Sequence, residues 1–345
     1  MKKRVTVQDI ADTLGLSRNT ISKAINGTGN VSPATRDLIF KTASEMGYKQ
    51  FSMLSTASTE IEKPFANREI ALFTCSVPGS QFLSSCLLDS FEKKISSLGY
   101  RLIVYLLRPD TIDACTLPDN FNAKATDAIL IMELFDKNYI NFLCDSSIPT
   151  LFVDSFANPF HESIHSDILF MESVNTSYNL VAHLIESGCS KIGFVGDYTH
   201  CQSFYERWTG YQNAMKEHDL LDYISYCIID EDDSPYDDVT WLSNRVRSLP
   251  VLPDAFFCAN DYIAICIIKA LKQLNYKLPD DIKVAGFDNS NESRIIEPAL
   301  TTVSIPGTQM GYIATNMLLD RINYPETPYR TTYVQTEVIY RHSTK

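Results

Sequence analysis

The chain has 345 residues, 45% of them apolar and 21% charged, with a net charge of −12. At about 150 residues per domain this predicts two or three folded domains and excludes a disordered or fibrous chain. The nine cysteines are scattered singly with no C-x-x-C, which argues against a secreted disulfide framework and against a zinc cluster. The charge is unevenly placed. Residues 1–50 carry eight Lys and Arg against four Asp and Glu, a net of +4, and the other 295 carry −16. A basic head on an acidic body predicts that the head alone meets a polyanion.

The head reads as three short helices. Thr6, with Asp9 three residues on, starts the first in a capping-box pattern, and Ile10, Ala11 and Leu14 follow at helical spacing. Gly15 ends that helix and Ser17 caps the next, with Ile21, Ala24 and Ile25 on one face. After the Asn26–Asn30 loop, Ser32-Pro33 opens the third, which stops at Gly47. Helix, tight turn and Ser-capped helix make a helix-turn-helix, with Ile10, Leu14, Leu16, Ile21, Ile25, Val31 and Leu38 as its core. Arg18, Asn19, Ser22, Lys23 and Asn26 then face outward, and these side-chain types read base edges in a major groove.

Residues 50–68 are rich in Ser and Thr and read as a linker. Beyond it, strand-like runs at Ile70–Thr74, Leu102–Leu107, Ala128–Met132, Thr150–Val153, Ile192–Val195, Ile224–Ile229, Ala255–Cys258 and Val284–Phe287 alternate with helical stretches. These stretches are Ser84–Leu98, Asn175–Ser187, Tyr205–His218 and Tyr262–Leu274. Such alternation predicts βαβ units and parallel sheets. Ile168–Phe170 also looks extended. No apolar run approaches the 18 or so residues of a membrane span. The basic start leads into Gln8, Asp9 and Asp12 where an export signal needs an apolar core, so a cytoplasmic protein is expected.

The run Val5–Gly27, with Val31-Ser-Pro-Ala-Thr-Arg36 and Met46-Gly-Tyr48, resembles the headpiece of the lactose-repressor (LacI/GalR) family. More diffusely, Ile192-Gly-Phe-Val-Gly196, Glu206-Arg-Trp-Thr-Gly-Tyr211, Cys258-Ala-Asn-Asp261 and Val284-Ala-Gly-Phe-Asp288 are similar to the body of that family. The resemblance implies a small all-α helix-turn-helix head (1–49) and a linker or hinge (50–68). It implies a periplasmic-binding-protein-like α/β body of two lobes with parallel sheets, for effector binding and dimerisation (69–345). It implies a homodimer on a near-palindromic double-stranded operator, probed by Thr6, Val7, Ser17, Arg18, Asn19, Thr20, Ser22, Lys23, Asn26, Ser32, Thr35 and Tyr48. It also implies a cleft for a small polar effector, a sugar, with no cofactor or metal. Arg207 and Asp288 would clamp that effector, with Ser76, Phe82, Asp154, Tyr236 and Asn260 around them; strand-end Asp and Asn serve equally well as turn and cap residues.

Two departures from the family stand out. Residues 48–57 lack the Pro, Asn, Arg and Leu of its folding hinge helix, leaving Phe51, Met53 or Leu54 as wedges or the stretch as a tether. Ile305 replaces a usual glutamine. Two rival readings are a solute-binding protein with no regulatory role and a zinc hydrolase on His161-Glu-Ser-Ile-His165. The latter needs that motif on a long helix with a third ligand beyond.

Overall fold

The computed structural model describes residues 5–25, 31–46, 69–76, 82–158, 160, 162–231 and 233–345, in two compact units, 1–65 and 66–345. In the first, α1 (Val7–Leu14), α2 (Arg18–Ile25) and α3 (Pro33–Glu45) form in that order. The Asp9 carboxylate accepts the Thr6 N–H at 2.7 Å while Thr6 Oγ1 accepts the Asp9 N–H at 3.3 Å, which closes the capping box. Gly15 ends α1 at φ +64°, a conformation that costs a residue with a Cβ. Ser17 Oγ accepts the Thr20 N–H at 3.1 Å, and Ser32 Oγ accepts the Thr35 N–H at 3.2 Å. Ile10, Ala11, Ile21, Ala24, Ile39 and Ala43 are the buried core, with Leu14, Leu16 and Val31 packed against it. Leu38 corrects the expected core, because it is 51% exposed. The inward stripe of α3 runs through Ile39 and Ala43, four residues apart, and Leu38 is one step off it.

The second unit holds β1 (Glu69–Thr74), α4 (Phe82–Ser97), β2 (Arg101–Leu106), α5 (Pro109–Asp113), β3 (Thr126–Met132), α6 (Lys137–Cys144), β4 (Thr150–Val153) and β5 (Asp167–Met171). The chain then builds α7 (Val174–Glu186), β6 (Ile192–Val195), α8 (Gln202–Glu217), α9 (Val239–Ser248), β7 (Ala255–Cys258), α10 (Asp261–Gln273), β8 (Lys283–Ala285), α11 (Asn291–Ile295) and β9 (Thr302–Ser304). It closes with α12 (Gly307–Asn323), β10 (Thr331–Val334) and β11 (Glu337–Ile339). The first lobe is a parallel six-stranded sheet ordered β10-β5-β4-β3-β1-β2. The second is centred on parallel β6-β7-β8, with β9 and β11 as an antiparallel pair. The chain passes between lobes after β5, before α12 and between β10 and β11.

Register explains the core of the first lobe. Phe73, Ile131, Phe152 and Ile168 are paired neighbours across four strands, so their side chains share one face and all lie in one apolar cluster. Full burial of such side chains stabilises by roughly 1.5–3 kcal/mol each.

One expected strand fails. Ile224–Tyr226 is a 3₁₀ turn with Ile224 52% exposed, and Ile228 alone bridges to Val195 of β6. The run expected through Phe287 stops as β8 at Ala285, although the Gly286 and Asp288 amides still donate to the Thr301 and Val303 carbonyls at 2.9 Å. Among the described residues no helix is long and apolar enough to cross a membrane.

Candidate functional site

The outward face of the head is carried by α2, whose eight residues include Arg18 and Lys23 and no acid. Arg18, Asn19 and Lys23 are exposed, and Ser22 is half-buried. Ser17 and Ser32 are exposed but work as caps, with Oγ atoms 2.8 and 2.7 Å from the hydroxyls of Thr20 and Thr35. Thr6 is likewise tied to Asp9, and Val7 beside it is half-buried. Helix N-termini framed in this way present backbone N–H groups suited to phosphate oxygens. Asn26 and Tyr48 lie outside the described residues.

In the body, a cavity of about 530 Å³ opens between the carboxyl ends of the strands of both lobes, a size typical of small-molecule sites. Arg207, on the second turn of α8, lies in its wall and is only 3% exposed. Its Nη1 donates to the Ala259 carbonyl at 2.6 Å and its guanidinium sits 3.8 Å from the Phe287 ring centroid. Nη2 is 3.4 Å from Asp288 Oδ1, an ion pair beyond good hydrogen-bond length. Its buried Nε has no partner among the described residues.

Asp288 follows β8 at φ +118°, held there by its N–H bond to Val303. Burial pushes its carboxyl up to about 7, with Asp261 and Asp154 adding to the rise and Arg207 opposing it. Asp154, at the end of β4 with φ +68°, accepts the Ser155 and Ser203 N–H groups at 2.8 and 3.2 Å. Burial raises its pKa as well. The Ser203 bond ties the two lobes. Asn260 lines the cavity and also caps α10, accepting the Ile263 N–H at 2.8 Å.

Arg207, Asp288, Asp154 and Asn260 are therefore brought together from strand and helix ends far apart in sequence. Ser76 and Tyr236 are not part of the wall. The Tyr236 hydroxyl is turned to the Asp230 carbonyl at 2.7 Å, and the ring packs edge-on against Trp241. Ser76 Oγ is buried at the end of β1 with no partner among the described residues. The Phe82 side chain lies outside the described residues. Ile305 is buried.

Asp261, at a strand end beside Asn260, lines the cavity too, as do Glu133, Phe135, Phe204, Tyr262 and Glu292, which the sequence reading passed over. Two of these had a signal. Glu133 directly follows β3, so the strand-end rule applied to that strand reaches it. Phe204 precedes Arg207 by three residues, one face of one helix. The H-E-x-x-H motif takes another form than a zinc site. Glu162–Ser166 form no helix, Glu162 pairs with Lys137 at 2.6 Å, and His165 is exposed. His161 lies outside the described residues.

Comparison with known proteins agrees with this arrangement. Residues 6–50 match the sequence profile of bacterial regulatory proteins of the lacI family, and 181–344 match that of the periplasmic binding protein-like domain. A curated relative, the HTH-type transcriptional repressor PurR of Histophilus somni, is 26% identical over 345 residues, covering 99% of each chain. Among solved structures, a lac repressor dimer bound to operator and an anti-inducer superposes with TM-score 0.67 at 20% identity, covering 99% of each chain. A complex of the transcriptional regulator CelR with cellobiose gives 0.68 at 20%, covering 99% of this chain and 100% of that one. One chain thus joins a helix-turn-helix head that matches the lacI family of bacterial regulatory proteins to a two-lobed α/β body whose residues 181–344 match the periplasmic binding protein-like domain.

Proposed function

We propose that this protein is a sequence-specific transcriptional repressor that binds a near-palindromic operator as a homodimer and is controlled by a small polar effector, a sugar. Residues 1–49 bind DNA, 50–68 link, and 69–345 bind effector and dimerise. Arg18, Asn19 and Lys23 read bases, while Thr6, Ser32, Thr35 and Tyr48 meet phosphates. The observation that carries the reading is the convergence of Arg207, Asp288, Asp154 and Asn260 on a cavity between two lobes, in a chain that also carries an exposed, acid-free recognition helix.

A cleft between lobes converts ligand binding into a choice of lobe arrangement, and a ligand shifts that choice only by its differential affinity for the two forms. The relatives named a PurR repressor and a CelR–cellobiose complex support repression and a sugar-like ligand. No catalytic role is assigned to any residue.

Selection from a random DNA pool tests the reading. The expected product is a palindrome with half-sites about one helical turn apart, whose complex, followed by fluorescence anisotropy, responds to one member of a sugar panel. Recovery of a single unrepeated half-site overturns the dimer, and the absence of any selected site overturns sequence-specific binding.

A further inference from the structure

The charge of the cleft says more about its ligand than its fold does. Among the described residues, the cavity wall carries five acids, Glu133, Asp154, Asp261, Asp288 and Glu292, against the single guanidinium of Arg207. Nη1 of that guanidinium is held by the Ala259 carbonyl and Nη2 faces Asp288, and the group lies 5.3 Å from the Phe204 ring centroid. Hydrogen-bonding a neutral sugar needs polar groups but no excess of one sign, and clustered carboxylates in a half-closed cavity repel one another.

On the same wall, Phe135 and Phe204 flank the His200 ring at 5.0 and 5.2 Å, and Tyr262, 60% exposed, also lines the cavity. Aromatic faces beside carboxylates are the surroundings that hold an organic cation. Arg207 lines the wall, and its buried Nε has no partner among the described residues. The wall thus offers donors for an oxygen-rich ring and counter-charge for a cation.

We propose that the effector is an amino sugar in class, a polyhydroxylated ring with a protonated amine, held by Arg207 and Asp154 at its hydroxyls and drawn in by the acids, Glu133 and Glu292 among them. This rests on the cleft being the effector site, as proposed above. Burial pushes Asp288 up to about 7 and Asp261 up to about 6. A bound cation favours their ionised forms, and a neutral sugar does not.

The test is calorimetry on the full-length protein at neutral pH. The probes are glucosamine, galactosamine and mannosamine, each against its parent hexose and its N-acetyl form. The expected result is one amine binding at least about tenfold tighter than both neutral counterparts, a difference of about 1.4 kcal/mol. That preference should shrink severalfold in the Glu133→Gln, Glu292→Gln double variant and in high salt. Glu292 is exposed, so Glu292→Gln alone serves if the double variant unfolds early in a thermal melt. Tight binding of a neutral hexose with exclusion of its amine overturns the amino-sugar inference and leaves the sugar-responsive repressor standing. A preference untouched by the substitutions also overturns it. Binding by no member of any series overturns both readings.

Discussion

Tyr333 on β10 of the first lobe donates its hydroxyl to Glu206 on α8 of the second at 2.7 Å, and the Gln202 amide donates to the same oxygen at 3.1 Å. The Gln202 Oε1 in turn accepts the Asn158 N–H at 2.8 Å. Glu206 is buried to 6% exposure, its second oxygen has no partner among the described residues, and burial pushes its carboxyl up to about 7. One acid thus sits in a polar link between lobes and keeps its proton far above the usual carboxylate range.

The pH dependence follows in sign. In the unfolded chain Glu206 titrates near its ordinary value of 4.5, and in the folded one near 7. Between those values the folded state binds more protons, so stability falls as pH rises through the window and levels off above it. A gap of that size corresponds to something on the order of 3 kcal/mol. Asp154, Asp261 and Asp288 are pushed the same way. Glu206→Gln should therefore flatten part of the decline in urea-unfolding free energy, and an unchanged slope would remove Glu206 from the account.

Gly311 fixes how closely α12 can approach α4. A Cβ there would lie 2.0 Å from Ser90 Oγ and 2.3 Å from the Leu87 carbonyl oxygen. Backbone cannot yield as a side-chain end can, so Gly311→Ala should cost about 1–3 kcal/mol by overpacking. A melting temperature equal to wild type would show that the two helices part freely.

Asn19 is an exposed side chain on a helix of the head. As a reader of bases, Asn19→Ala should weaken binding to the selected operator by about 1–3 kcal/mol and relax its sequence preference. Equal loss on operator and random DNA, measured by anisotropy, would make it a backbone contact instead.

Asp288→Ala removes a half-buried carboxyl from the cavity wall while the head is a separate compact unit. Effector affinity should fall at least about tenfold, since hydrogen bonds to charged groups contribute about 1.5–3 kcal/mol. Operator affinity without effector should barely move. Normal calorimetry with the variant would reduce Asp288 to a turn former.

What the sequence revealed depended on how local the cause was. The caps at Thr6, Ser17 and Ser32 and the turn at Gly15 are decided within four residues, and all are as expected. Buried strands such as Thr150–Val153 and Ala255–Cys258 announce themselves as apolar runs. Ile224–Ile229 has the same look but only Ile228 reaches a partner strand, and pairing is a property of the neighbour. β9, β10 and β11 are three or four residues long and mostly not fully buried, so they lack a hydrophobic signal. In the cleft, Arg207 and Asp288 came through family resemblance. Tyr236 lies off the wall because its hydroxyl is taken by a backbone carbonyl, a contact no motif encodes.

The order of the lobes along the chain sets the order in which they can be made. The edge strand β10 and the packing helix α12 of the first lobe are synthesised after nearly all of the second. Until residue 334 has left the ribosome, β5 presents an open edge, and until α12 arrives the apolar face of α4 around Leu87 and Phe91 lacks its partner helix. Open edges and bare apolar faces invite aggregation. A nonsense change just before Gly307 would therefore spoil the lobe whose first five strands are already encoded, and such a product belongs to the chaperones and proteases rather than to the operator.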